Sequence, residues 1–164
     1  MKYGIYYAYW EKEWNGDYKY YIDKISKLGF DILEISCGAF SDYYTKDQEL
    51  IDIGKYAKEK GVTLTAGYGP HFNESLSSSE PNTQKQAISF WKETLRKLKL
   101  MDIHMVGGAL YGYWPVDYSK PFDKKRDLEN SIKNMKIISQ YAEEYDIMMG
   151  MEVLNRFEGY MLNT

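Results

Sequence analysis

Strand-like and helix-like segments alternate along the whole sequence, and this alternation restricts the possible folds more than any other feature. The strand-like runs are almost continuously apolar, as in parallel strands that are covered on both faces. Strict β-α-β alternation predicts a parallel sheet with right-handed crossover connections. The five predicted strands are Tyr3–Tyr9, Asp31–Ser36, Val62–Ala66, Ile103–Gly107 and Ile147–Glu152.

Four helical patterns lie between the predicted strands, and in each of them apolar or small residues recur every three or four positions. We expect these residues to form the buried faces of four helices. The faces are Tyr18, Ile22, Ile25 and Gly29; Leu50, Ile53, Gly54 and Ala57; Ala87, Phe90, Trp91, Thr94, Leu95 and Leu98; and Leu128, Ile132, Met135, Ser139 and Ala142.

The connections that follow the predicted strands are longer than those that precede them, especially at Gly67–Asn82 and Gly107–Lys124. In (β/α)₈ barrels the loops after the strands build the active site. We therefore predict a TIM (β/α)₈ barrel, of which about five strands and four helices are present, as a single domain over residues 1–164. An open doubly wound sheet is the alternative, but Tyr7–Glu11 lacks the glycine pattern of a dinucleotide-binding turn.

Composition excludes several classes of protein. The net charge of −3, without a basic stripe, argues against a nucleic-acid partner. The sequence has no run of about 18 apolar residues, so a membrane span is not expected. Cys37 is the single cysteine. This single cysteine and the lack of an apolar signal segment near Met1 together favour a reducing, cytoplasmic location.

Two glutamates near the end of the sequence are candidates for chemistry. Glu152 ends the fifth predicted strand, which is the catalytic end of a barrel strand, and Glu158 follows six residues later. Two carboxylates in such a place suit metal-assisted proton abstraction next to a carbonyl group. A solvated strand-end glutamate and an exposed loop glutamate are the simpler alternatives.

Aromatic residues accompany the predicted strand ends. Tyr6 lies in the first predicted strand, and Trp114 lies in the loop after the fourth. Such side chains can stack on a sugar or simply form an aromatic loop core. For His104 we expect a hydrogen-bonded structural role and for Cys37 a buried one, whereas the role of His71 stays open.

Five segments together resemble the ketose 3-epimerase family, which includes D-tagatose and D-psicose 3-epimerases and belongs to the xylose isomerase-like superfamily of barrels. The resemblance extends over the length of the chain. Its last two segments, the aromatic loop and the segment with both glutamates, are the most specific. The segments are Gly4–Trp10, Leu28–Ile35, Leu64–Pro70, Gly107–Pro115 and Met151–Glu158.

The resemblance implies a metal-dependent epimerisation at C3 of free ketoses, D-fructose/D-psicose and D-tagatose/D-sorbose, through a cis-enediolate. It implies that Glu152 binds the metal and exchanges the C3 proton, and that Glu158 hydrogen-bonds the substrate near O1 and O2. The implied cofactor is a divalent metal, Mn²⁺ first, with Mg²⁺ or Co²⁺ possible, and the implied assembly is a homo-oligomer. Residues implied to line the sugar are Tyr6, Gly67, Ala109 and Trp114.

In the family, a second glutamate and the Asp and His ligands of the metal belong to strands six to eight, which this sequence does not contain. We therefore expect the chain to be the N-terminal portion of a barrel and to have little activity alone. Two other interpretations stay open. One is a related sugar isomerase of the hydroxypyruvate or inosose type, and the other is a non-catalytic half-barrel that self-associates through its open strand edges.

Overall fold

The computed structural model describes residues 1–14 and 16–163, without the side chains of residues 41 and 42. Its five strands form one sheet in the order β1-β2-β3-β4-β5. The strands are β1 (Gly4–Tyr6), β2 (Ile32–Ser36), β3 (Thr63–Gly67), β4 (Met105–Gly108) and β5 (Met148–Met151). The α-helices are α1 (Tyr18–Leu28), α2 (Ala39–Asp42), α3 (Asp47–Glu59), α4 (Pro81–Leu100) and α5 (Lys124–Glu144).

This element order confirms the predicted partial TIM barrel with its alternating strands and helices. Several predicted boundaries are wrong. The first strand ends at Tyr6 because Tyr7–Tyr9 form a 3₁₀ turn, and the short helix α2 is additional. Among the helices of the described residues, none is both long enough and apolar enough to cross a membrane.

The structure divides into two compact units, Met1–Gly67 with Arg96–Val106, and Tyr68–Leu95 with Gly107–Thr164. The single domain predicted over residues 1–164 stays a prediction.

In the first unit, strands β1, β2 and β3 form a parallel ladder in which Tyr6 lies opposite Glu34 and Glu34 lies opposite Thr65. Successive side chains of a strand point to opposite faces. Leu33 and Ile35 of β2 are fully buried, and Glu34 points to the other face. The ladder therefore separates an apolar face from a face that carries polar side chains.

Helix α3 approaches the backbone that follows α4 so closely that only a glycine fits at one position. A Cβ atom on Gly54 would lie 2.6 Å from the carbonyl oxygen of Met101 and 2.8 Å from its carbonyl carbon. These are backbone atoms, so rotation of a side chain cannot relieve the overlap. The predicted buried face of this helix, which includes Gly54, is confirmed.

In the second unit, the buried face of α5 is largely polar. Its hydroxyl and amide side chains bind loop carbonyls: Ser131 Oγ donates to the Tyr111 oxygen at 2.7 Å, and Asn134 Nδ2 donates to the Leu76 oxygen at 2.8 Å. The Asp127 carboxylate accepts a hydrogen bond from the Tyr160 hydroxyl at 2.9 Å. These three bonds connect the helix to three loop segments, at Tyr111, Leu76 and Tyr160.

The predicted apolar face of α5 is therefore wrong in part. Ala142 is buried as expected, but Ile132 is 49% exposed and Ser139 is exposed. The helix is rotated so that its polar side chains reach the loop carbonyls, which would otherwise be buried without partners. This rotation leaves much of the apolar stripe of α5 uncovered.

We predict that Gly54→Ala lowers the free energy of unfolding by about 1–3 kcal/mol, because overpacking forces the backbone apart. Urea denaturation followed by circular dichroism measures the effect. Lys55→Ala, at an exposed position of the same helix, is the matched control and should change stability by less than about 0.5 kcal/mol. Equal stability of Gly54→Ala and the unsubstituted chain would refute the close approach.

Candidate active site

Glu152 immediately follows β5, and its main chain is held by two hydrogen bonds. Its N–H donates to the Gly108 oxygen at 3.0 Å, and its own carbonyl oxygen accepts from the Tyr111 hydroxyl at 3.1 Å. The residue is exposed. A fixed backbone with an exposed carboxylate is an arrangement in which the side chain can reach a bound ligand.

Gly108, whose carbonyl oxygen accepts the hydrogen bond from the Glu152 N–H, occupies a position that requires glycine. Gly108 has a φ of 125°, in the region that L side chains rarely adopt. A Cβ atom there would also collide with the backbone of Tyr68. The glycine at the end of β4 therefore allows two chain segments to approach each other beside the Glu152 backbone.

Glu158 lies in a turn that Asn155 organises. The Asn155 side-chain oxygen accepts hydrogen bonds from the N–H groups of Phe157 and Glu158, at 2.9 and 3.1 Å. The Asn155 amide group donates to the Glu158 carboxylate. The Glu158 carboxylate is exposed, and its hydrogen bond with Asn155 sets its orientation.

Ala109 and Trp114 belong to a hydrophobic cluster of the second unit. Ala109 is 5% exposed and packs with Tyr111, Tyr160 and Met161, and Trp114 packs against this cluster. The Trp114 N–H also donates to the Pro70 oxygen at 2.8 Å. The structure thus gives this loop a packed aromatic core, which was the alternative to a sugar-lining wall. The sugar-lining roles of Ala109 and Trp114 stay predictions.

Tyr6 and Gly67 lie in the first unit, at the carboxyl ends of β1 and β3. Burial raises the pKa of Tyr6 to about 12, and the nearby Glu34 carboxylate adds to the shift, whereas a hydrogen bond with Ser36 opposes it. Tyr6 therefore keeps its proton at neutral pH and can serve as a hydrogen-bond donor.

Glu34 is a residue of this face that sequence reasoning missed. Its Oε1 atom lies 2.7 Å from the position that a Cβ atom on Gly67 would occupy. The absence of a side chain at Gly67 thus makes room for a carboxylate. The alternation Leu33-Glu34-Ile35 within a predicted strand was the available signal, because it places one polar side chain on the face opposite the apolar pair.

The remaining candidates have ordinary surroundings. Cys37 is buried as predicted, and burial raises the pKa of its thiol. His104 precedes β4 instead of lying within the strand, and its Nε2 atom lies 3.2 Å from a carboxylate oxygen of Asp102. The His71 N–H donates to Glu74 at the start of a 3₁₀ turn.

The part of the chain that the structure describes has no group of three or more His, Cys, Asp or Glu side chains that could hold a metal ion. Glu152 is an oxygen ligand of the type that divalent cations accept, but one carboxylate does not form a metal centre. The residues that the structure describes therefore do not fit a complete metal site.

The fold and the position of Glu152 after a parallel strand define a class of protein. The family described as a xylose isomerase-like TIM barrel matches residues 22–164, and the chain belongs to this family.

Within this class, the chain is similar to two proteins named D-psicose 3-epimerase. The one from Enterocloster bolteae is 57% identical over 164 residues, which are 100% of this chain and 54% of the relative. The one from Ruminiclostridium cellulolyticum is 48% identical and is covered to 55%. A crystal structure of D-psicose 3-epimerase with D-tagatose, from Clostridium cellulolyticum, superposes with a TM-score of 0.97 at 47% identity, covering 100% of this chain and 56% of that one. The chain spans about half the length of these relatives.

We predict that the Tyr6 hydroxyl ionises near pH 12, which can be followed through the Cζ resonance of ¹³C-labelled tyrosine and assigned with Tyr6→Phe. Because the folded-state pKa is raised above the usual value of about 10, the stability that protonated Tyr6 contributes is complete below pH 10. It is lost as the pH rises from about 10 to 12. Glu34→Gln should lower the pKa only slightly, since burial is the main cause. A return to 10 in that variant would contradict this assignment.

We also predict that Gly67→Ala costs about 0.5–1 kcal/mol of stability, less than Gly54→Ala, because the new methyl group displaces only the flexible end of the Glu34 side chain. The same substitution in a Glu34→Ala background should cost less than half as much. Urea denaturation of the four proteins forms a double-mutant cycle. Equal costs in the two backgrounds would show that Glu34 does not occupy the space beside Gly67.

Proposed function

We propose that this chain is the N-terminal portion of a ketose 3-epimerase, an isomerase that inverts C3 of free ketoses. The observation that carries the proposal is the 57% identity to a D-psicose 3-epimerase along the whole chain. The exposed carboxylate of Glu152 after β5 supports it, because the carboxyl ends of barrel strands carry catalytic residues.

In this proposal Glu152 is the catalytic acid–base group. The C3–H bond of a 2-ketose lies next to the C2 carbonyl, so removal of its proton leaves a cis-enediolate. Glu152 takes this proton on one face of the substrate, and return of a proton on the other face inverts C3. The group on that second face is proposed to come from outside this chain, as the family resemblance implies.

Glu158 is proposed to hold the substrate by accepting hydrogen bonds from hydroxyl groups near O1 and O2. The support is its exposed carboxylate, whose orientation Asn155 fixes through the turn. A preset orientation lowers the cost of ordering the side chain when a ligand binds. Tyr6, Gly67, Ala109 and Trp114 are proposed to line the sugar, with Tyr6 as a hydrogen-bond donor.

The proposed substrates are the pairs D-fructose/D-psicose and D-tagatose/D-sorbose. A structure described with D-tagatose is among the similar ones. A small polyhydroxylated ligand suits carboxylates and tyrosine hydroxyls, which accept and donate hydrogen bonds. A homo-oligomeric state is also proposed, on the family resemblance. A cytoplasmic location is proposed on the single cysteine.

Dependence on a divalent metal, with Mn²⁺ first and Mg²⁺ or Co²⁺ as alternatives, is part of the proposal. Glu152 would supply one carboxylate ligand, and the other ligands would come from beyond this chain. A bound divalent cation supplies Lewis-acid polarisation of substrate oxygens. The described residues form no metal centre by themselves.

The test joins this chain to the part of the Enterocloster bolteae relative that it does not match, and assays D-fructose, D-tagatose and hydroxypyruvate with Mn²⁺. We expect C3 epimerisation by the joined protein and little or none by the 164-residue chain alone. Glu152→Gln should lower kcat by about 10²–10⁴-fold, the usual contribution of a general acid–base group.

Glu129→Gln, at an exposed position of α5, is the matched control and should leave kcat unchanged. Glu158→Gln should act mainly on KM, because its proposed role is to hold the substrate. Conversion of hydroxypyruvate without epimerisation of either ketose would refute the proposal and favour a related sugar isomerase.

A further inference from the structure

Glu158 belongs to a loop of the second unit, residues 154–163, whose two ends are joined to each other. We refer to this segment as the Glu158 loop. The Leu154 N–H donates to the Leu162 oxygen at 3.1 Å, and Leu154 also forms an isolated bridge with Asn163. These bonds give the loop a defined internal shape. They do not by themselves fix the loop against the helix beside it.

The side chain of Tyr160 connects the Glu158 loop to the first turn of α5. Tyr160 lies two residues after Glu158 and is 7% exposed. Its hydroxyl donates to Asp127 Oδ2 at 2.9 Å, and its ring centroid lies 4.5 Å from that of Phe122. Burial, and then the contact with Asp127, raises the pKa of the Tyr160 hydroxyl. The hydroxyl therefore keeps its proton and serves as the donor of this bond.

Asp127 is a fixed acceptor for the Tyr160 hydroxyl. Its Oδ1 atom accepts from Arg126 Nε and Nη2 at 3.1 and 3.0 Å, and its Oδ2 atom also accepts from the Asp123 N–H at 3.3 Å. Asp127 is buried, and the first turn of a helix favours a carboxylate. Because these bonds hold the carboxylate in one orientation, they define one place for the Tyr160 hydroxyl.

We propose that Tyr160 is a positioning residue, whose hydrogen bond to Asp127 holds the Glu158 loop so that the Glu158 carboxylate is placed to accept hydrogen bonds from the ketose. The inference rests on the proposed function, in which Glu158 holds the substrate. Only Gly159 lies between Tyr160 and Glu158, so a shift of the tyrosine is passed on to the glutamate. Groups that bind a substrate have to be held within about 0.5 Å of their productive positions.

A second contact of the Glu158 loop does not provide an equivalent restraint. The Tyr118 hydroxyl donates to the Arg156 oxygen at 2.8 Å, but Tyr118 is 43% exposed. At an exposed position water can replace a lost hydrogen bond, whereas at a buried position the acceptor loses its partner without replacement. The loss of the buried bond between Tyr160 and Asp127 should therefore affect the loop more.

The test uses the protein in which this chain is joined to the unmatched part of the Enterocloster bolteae relative. Tyr160→Phe keeps the ring that packs on Phe122 and removes only the hydroxyl. We expect the KM for D-psicose to rise about three- to tenfold, because a buried hydrogen bond is lost, and kcat to stay within about twofold. Tyr20→Phe, at a position of α1 that is 55% exposed, is the matched control and should change neither constant.

A double-mutant cycle with Glu158→Gln distinguishes positioning from a general effect on the fold. If Tyr160 acts through Glu158, Tyr160→Phe should raise KM by less than about twofold in the Glu158→Gln background. An equal rise of KM in both backgrounds would overturn the proposal, and so would a fall in kcat as large as the rise in KM. Absence of epimerisation by the unsubstituted joined protein would refute the proposed function itself.

Hydrogen exchange in the 164-residue chain tests the same contact without any reaction. The N–H groups of Phe157 and Glu158 donate to the Asn155 side chain and so report on the turn. Tyr160→Phe should speed their exchange at least about threefold, and the N–H of the buried Ile138 in α5 should respond less, because the loosening is local. Unchanged exchange of Phe157 and Glu158 would overturn the proposal, as would equal acceleration at all three positions.

Discussion

Parallel strands require cover on both faces, and the organisation of this chain depends on how far that requirement is met. In β2 it is met, since Leu33 and Ile35 are fully buried while Glu34 serves the opposite face. In β5 it is not met, because Met148 on one face and Met151 on the other are exposed. Strand β5 thus leads directly into Glu152, the proposed catalytic residue, and also exposes apolar side chains on both of its faces.

Much of the fold could be predicted because alternating apolar periodicity is a local property of the sequence. The faces of α3 and the burial of Cys37 followed directly from spacing and composition. The rotation of α5 could not be predicted, because Ser131 and Asn134 are buried by hydrogen bonds to loop carbonyls more than a dozen positions away in the sequence. Hydrophobic spacing contains no information about such partners.

The candidate site was predictable to a similar degree. The position of Glu152 at a strand end follows from the pattern, but its two backbone anchors, Gly108 and Tyr111, depend on tertiary pairing. Glu34 was not predicted as a site residue because a single polar residue in an apolar strand has many possible roles. Its meaning appears only when the distance to Gly67 shows that one residue makes room for the other.

In α5, buried polar residues that hydrogen-bond the loops are followed directly in the sequence by apolar residues that lie on another side of the helix. Ser131 and Asn134 bind the loops at Tyr111 and Leu76, while their neighbours Ile132 and Met135 line a groove between α5 and β5. A displacement of the helix would therefore be transmitted to Tyr111, whose hydroxyl donates to the Glu152 carbonyl oxygen. The position of the Glu152 backbone thus depends on how α5 is packed.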